Sequence, residues 1–184
     1  MAAELWGIHA VTNRMGLTGA EAATMGRDEA LATMQPGGTI TVPLITGDMN
    51  GSILGTITEV IGNHVYGFGH GWMNTGVSKW PMAAGKIHTF VSKADMSFKL
   101  GEATAIVGTL SCDEGTGVYG EIGAAPEMVP VEIRVRWANT GIDNTFHYAI
   151  AQDKLLDPML TTMVVANTLQ SRGGLPRENT VAYS

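Results

Sequence analysis

The sequence predicts a mainly β fold with flanking helices, a glycine-rich antiparallel barrel or sandwich, and three observations predict it. Twenty-four of the 184 residues are glycine, with no three-residue period and with Val, Ile and Thr around them, the composition of short strands joined by tight turns. Hydrophobic residues make up 45% and charged residues 15%, enough apolar material for a real core in a chain of one-domain length. Apolar or alternating runs recur between turn signals from Thr39 to Ala151, and helical patterns lie only at the two ends and in one central stretch.

Thr18-Gly-Ala-Glu21 has the spacing of a capping box, so the Ala-rich stretch that follows is expected to be helical to Met34, with Gly26 a weak point inside it and Pro36-Gly37-Gly38 its stop. Strands are expected over Thr39–Ile45 and Ser52–Ile61, joined by the turn-like Gly47-Asp-Met-Asn-Gly51. Gly62-Asn63 suits a tight hairpin into His64–Phe68. Pro81 can open a helix at its first turn, and Met82, Ile87 and Phe90 would be its buried positions through Val91. Strands are then expected over 97–100, 103–110, 117–122, 128–137 and 145–151. Asp157 as cap and Pro158 in the first turn start a helix whose apolar positions include Leu160, Met163, Val164 and Leu169, with Gly173-Gly174 ending it. The tail from Asn179 to Ser184 reads equally as an edge strand or a frayed end. These elements divide the chain into a helical flank over 1–35, a β domain over 36–152 and a C-terminal helix and tail over 153–184.

Several functional classes are disfavoured. A net charge of −6 and the lack of any dense Lys/Arg cluster argue against nucleic acid as a partner. No stretch of about twenty apolar residues would span a membrane. The start Met-Ala-Ala-Glu-Leu-Trp lacks the basic and apolar regions of a secretion signal, which leaves either a cytoplasmic protein or one with a further upstream segment that would allow an extracytoplasmic place. Cys112 is the single cysteine, so no intrachain disulfide or cysteine-rich zinc site is expected; His9, His64, His88 and His147 are dispersed, and neither a metal nor a cofactor is expected.

The candidate chemistry centres on Val65-Tyr-Gly-Phe-Gly-His70-Gly-Trp72. Glycine on either side of His70 allows a sharp turn and leaves the ring unshielded, and imidazole titrates near neutral pH. The plainer alternative is a hydrogen-bonded turn residue. Asp113, in Ser111-Cys-Asp-Glu-Gly115, is the candidate to orient His70 as the third member of a triad would, against a solvated acidic turn. Asp48 could be an acid for His70, hold a cation with Asn50, or be a simple turn former. Cys112 as a nucleophile is opposed by the two carboxylates beside it. Trp72 and Trp80 would wall a peptide groove or cover one end of the core.

The order Leu54-Gly-Thr-Ile-Thr, Gly67-Phe-Gly-His70, Pro81-Met-Ala-Ala, Ser97-Phe-Lys-Leu, Val107-Gly-Thr and Gly117-Val-Tyr-Gly resembles the SpoIVB-type serine peptidase domain family, especially its longer bacterial relatives, over residues 36 to 137. The resemblance implies a fold related to the chymotrypsin-like double barrel and a histidine base, at His70, acting with a serine in Gly-x-Ser-Gly-Ser-Pro. That serine motif is absent here. Catalysis by a serine hydrolase needs a nucleophile within reach of its base and an oxyanion hole, so the expectation is a β domain that is non-catalytic by itself, a scaffold or interaction module for a protein or peptide. Two alternatives remain: part of a serine peptidase (a hydrolase) whose serine comes from another segment or chain, and a subunit of a homo-oligomer, for which eleven methionines and the helical flanks are suited.

Overall fold

The computed structural model describes residues 9–11, 25–92, 94–95, 97–171 and 180–183. Nine strands and two helices occur among them: β1 (His9–Val11), α1 (Arg27–Ala32), β2 (Thr39–Gly47), β3 (Asn50–Ile61), β4 (His64–Gly67), β5 (Gly76–Val91), β6 (Phe98–Glu114), β7 (Gly117–Ile122), β8 (Met128–Trp137), β9 (Ile142–Ala151) and α2 (Asp157–Gln170). The fold is mainly antiparallel β with flanking helices. The sheet runs β1-β3-β4-β7-β6-β5-β2-β9-β8, and an additional β2–β3 pairing joins the two ends of its middle portion. Strands β2, β3, β4, β7, β6 and β5 therefore close into a barrel, which removes the free edges an open sheet would expose.

Closure depends on β2. Its register with β3 (Thr39↔Thr56 through Ile45↔Gly51) and with β5 (Ile40↔Ala84, Thr41↔Ala83) makes it the staple of the barrel, and near its end Ile45–Gly47 pair with Ile150–Tyr148 of β9. A strand covered on both faces should be apolar throughout rather than alternating, and Ile40 to Ile45 are all buried. Gly120 on β7 stands where an added Cβ would collide with the Met82 sulfur and the Thr109 carbonyl, so glycine there lets β6 and β7 approach the core closely.

The segment 81–91 is strand, where helix was expected. It belongs to β5, which pairs along its length with β6, from Gly76↔Asp113 to Val91↔Phe98. A proline that can begin a helix is also tolerated where a strand lacks one neighbour, and Pro81 lies outside the short β2–β5 ladder at Ala83 and Ala84. The intermediate and exposed residues alternate from Gly85 to His88, the period of a strand. Similarly, 98–114 is one continuous strand where two were expected, because the irregularities of the β5–β6 register absorb its glycines without ending it.

Gly26 is the N-cap of α1 rather than an interior weak point. The capping-box residues Thr18 and Glu21 lie outside the described residues, as do Gly173, Gly174, Asn179 and Ser184. Residues 180–183 carry no regular structure. Helix α1 is tied to β6 by the Arg27 guanidinium, which donates to the carbonyls of Ile106 and Val107.

Asp157 is the first residue of α2, and Leu156 occupies the cap position. The cap function falls to Asp153, whose Oδ1 accepts the N–H groups of Leu155 (2.8 Å) and Leu156 (3.1 Å), while Asp157 Oδ1 accepts the N–H of Asp153 (2.8 Å). Leu160, Val164 and Thr168 form the buried stripe of the helix at intervals of one turn. Its far end is pinned by Thr168, whose hydroxyl lies 2.7 Å from that of Tyr148 on β9. No helix among the described residues is long and apolar enough to cross a membrane.

Leu160 is fully buried in the common core with Trp80, Leu156 and Val164. Leu160→Ala is expected to cost about 2–5 kcal/mol, read as a lowered midpoint of urea denaturation at an unchanged slope.

Candidate functional site

Strand β4 neighbours β7, yet the next strand in sequence, β5, lies two places further on, beyond β6. The connection 68–75 must therefore cross the end of the β6–β7 hairpin. Phe68 (φ 68°) and Gly69 (φ 74°) begin the crossing with successive left-handed residues. For a bulky residue such as Phe68 that conformation is costly. Two contacts hold it: its N–H donates to the Thr56 carbonyl at 2.9 Å, and its ring lies over Gly55, where any Cβ would overlap the ring.

Beyond Phe68 the chain is bound to the hairpin beneath it. Gly71 N–H donates to the Gly115 carbonyl at 3.3 Å. Asp113, fully buried near the end of β6, then receives two backbone donors: its Oδ1 accepts the Trp72 N–H and its Oδ2 the Met73 N–H, each at 2.7 Å. A buried carboxylate is tolerable when such donors replace its water. Asp113 is thus brought to the loop that carries His70, and both its oxygens are engaged by backbone amides.

His70 is exposed at this crossing. Its Nδ1 lies 2.8 Å from the Gly71 carbonyl oxygen. A carbonyl can only accept, so Nδ1 is the donor in this contact, and in the neutral ring Nε2 is then the nitrogen with the lone pair. Among the described residues, no hydrogen bond or ion pair joins His70 to a carboxylate. Asp48 is occupied elsewhere: its N–H donates to the His147 carbonyl (2.9 Å) and its Oδ2 accepts the His147 N–H (2.7 Å), closing the end of the β2–β9 ladder. Ser52 and Ser78 are buried, and the Ser78 hydroxyl donates to the Leu110 carbonyl. Partial burial, then the Glu114 and Asp113 carboxylates, push the Cys112 thiol above its ordinary range, away from the reactive thiolate.

The two tryptophans divide their roles. Trp80 is buried and its indole N–H donates to Asp153 Oδ2 at 3.1 Å; Trp72 meets it edge to face with centroids 5.4 Å apart. Beside them is an apolar pocket of about 150 Å³ lined by Trp72, Met73, Leu155, Leu156 and Met159. Trp72 is legible in the sequence as a wall residue, whereas the wall supplied by Leu155, Leu156 and Met159 around the start of α2 is not. The available signal was Asp153-Lys-Leu-Leu-Asp157, whose acidic residues fold the entry of the helix and leave Leu155 64% exposed.

A second polar group lies on β4 and β7, where the register sets His64 opposite Glu121 and Tyr66 opposite Tyr119. The Tyr119 hydroxyl donates to Glu121 Oε1 at 2.7 Å and therefore accepts from His64 Nδ1, also at 2.7 Å. The hydrogen bond to Glu121, with burial and the charge of Glu121, pushes the Tyr119 phenol up to about 12.

Comparison of the chain with protein-family models, with curated proteins and with solved structures finds no match.

Two outcomes are expected. Asp113→Asn retains one acceptor oxygen for two amides, so one half-buried N–H loses its partner; stability should fall by about 1–3 kcal/mol, with faster hydrogen exchange at Trp72 and Met73. In a phenolate absorbance titration, Tyr119 should ionise at about 12, above the ordinary value of 10. The raised value means that this contribution to stability is complete below about pH 10 and is lost as pH rises through about 12, and Glu121→Gln should bring the ionisation back down.

Proposed function

We propose that this chain is a SpoIVB-peptidase-like β domain that binds a protein or peptide segment and does not hydrolyse one by itself. The observation that carries this reading is the double engagement of Asp113: a carboxylate whose two oxygens hold the Trp72 and Met73 amides does not orient the His70 ring. The missing Gly-x-Ser-Gly motif and the burial of Ser52 and Ser78 point the same way. A fold can persist after its chemistry is lost.

The crossing and the start of α2 supply a surface for such a role. Loop 68–75 is fastened at Phe68, Gly71, Trp72 and Met73, and so presents Trp72 and Met73 with little conformational freedom left to lose on binding. An apolar cavity of 150 Å³ holds a benzene-sized group, and the pocket here has about that volume and two methionines that can adjust to the shape of one inserted side chain.

One observation favours a second reading, in which His70 is the base of a serine peptidase completed by another segment or chain. The Nδ1–Gly71 contact sets the tautomer with a free Nε2 lone pair, as a general base requires, on an exposed ring.

A serine-directed fluorophosphonate probe separates the two. The chain should take up no label and leave a casein substrate intact, equally in the natural sequence and in His70→Ala. Labelling or cleavage that disappears in His70→Ala would overturn the binding reading in favour of the peptidase one.

A further inference from the structure

The hairpin formed by β8 and β9 extends well beyond the barrel. Only Ile150 to Tyr148 of β9 pair with β2, whereas β8 and β9 pair with each other from Met128↔Ala151 to Trp137↔Ile142. Among the described residues nothing pairs with the outer edge of β8. One face of the hairpin is mostly apolar, with Val131, Ile133, Val135 and Trp137 opposite Tyr148, Phe146, Asn144 and Ile142. Helix α2 ends at Gln170, shortly after Thr168 meets Tyr148, and the distal part of this face continues past that contact.

The direction of the free edge can be derived. Gln152 N–H donates to the Glu127 carbonyl in line with the β8–β9 register, and Gly141 N–H donates to Trp137 at the other end. Bonded and non-bonded positions alternate along an antiparallel ladder. The odd-numbered residues of β8 thus bond to β9, and Pro130, Glu132, Arg134 and Arg136 turn their backbone groups outward. Proline, which has no N–H to offer, falls on the outer side, as expected of an edge strand.

We infer that the partner of this edge is a second copy of the chain, with two β8 strands pairing antiparallel about a two-fold axis at Ile133. The charges select this register. It places Glu132 of each copy opposite Arg134 of the other, twice, at positions that exchange both backbone N–H···O bonds. It also sets Val131 opposite Val135 and Val129 opposite Trp137, joining the apolar faces of the two hairpins. Pro130 meets Arg136, and its carbonyl still accepts the arginine N–H. Centring the axis on Glu132 would oppose Glu132 to itself, and centring it on Arg134 would oppose Arg134 to itself while pairing Glu132 with Arg136; only the Ile133 register gives opposite-charge pairs with no like-charge pair. Proline and charged side chains are also devices that keep edges from pairing; what distinguishes this edge is that Glu132 and Arg134 alternate in a self-complementary order. Within one chain Arg134 already reaches Glu132 (2.8 Å), and Arg136 makes a two-pronged pair with Asp143 (2.8 and 2.9 Å), so these side chains are ordered along the edge before a partner arrives.

The inference is independent of what binds at the barrel end, and its test uses the full chain. In a Cys112→Ser background, Ile133→Cys should form a disulfide-linked dimer under mild oxidation, because non-bonded antiparallel pairs hold their Cα atoms about 4.5 Å apart, within disulfide range. Glu132→Cys and Arg134→Cys should each fail to link to themselves but should link to one another when mixed. Sedimentation should give twice the chain mass for the natural sequence; Arg134→Glu should weaken association at least tenfold, and Glu132→Arg with Arg134→Glu should restore it. Strict monomers at every concentration, together with no Ile133→Cys link, would overturn the proposal, as would a dimer that Arg134→Glu leaves untouched. The cross-linking arm decides the matter even if a charge variant folds poorly.

Discussion

Asp113 carries a charge into the interior of a barrel end, and that placement is tolerable only because two amides replace its water. Since those amides belong to consecutive residues, Trp72 and Met73, the carboxylate fixes a segment of chain rather than a single atom. The segment must cross from β4 past β7 and β6 to reach β5. With the crossing held, Phe68 remains in an otherwise unfavourable backbone conformation, His70 is carried to the surface, and Trp72 is set against Trp80. Through Trp80 the same arrangement reaches Asp153 and the start of α2. A buried polar group that links several elements carries a high energetic stake in a low-dielectric interior.

The consequence for chemistry is a division of labour between Asp113 and His70. A triad uses its carboxylate to hold the imidazole and to stabilise the cation that forms when the base takes a proton. Here the carboxylate holds the backbone, and the imidazole is oriented by a neighbouring carbonyl oxygen. That carbonyl sets the tautomer but contributes no full negative charge. The same barrel end carries an apolar pocket lined by Trp72 and Met73, on the loop that also carries the exposed His70, and by Leu155, Leu156 and Met159.

The periphery follows a different logic. Closure through β2 and β3 removes the edges of the barrel, but it leaves the β8–β9 hairpin as an extension joined by a short ladder, so that among the described residues β8 is an edge. Asp48 marks where that ladder stops, bonding to both backbone groups of His147. Asp48, which looks like a catalytic candidate in the sequence, thus bonds the backbone where the pairing ends, in keeping with the need to satisfy every buried or half-buried amide.

Much of this architecture was determined by local sequence. The strands from Thr39 to Ile61, the Gly62-Asn63 turn, the hairpin strands β8 and β9, and α2 follow from period and turn chemistry, because those signals act over a few residues. The segment 81–91 shows where local signals stop: proline followed by Met-Ala-Ala-Gly is compatible with a helix, and only pairing with β6 makes it strand. Of the candidate site, the exposed turn at His70 was legible from its flanking glycines. The engagement of Asp113, the commitment of Asp48 to His147 and the pocket shared by Trp72 and Met159 were not, since each joins residues distant in sequence. Sequence alone determined which segments turn, alternate and cap; tertiary structure decided which oxygen meets which amide, because those choices depend on barrel closure, and closure is a property of the whole chain.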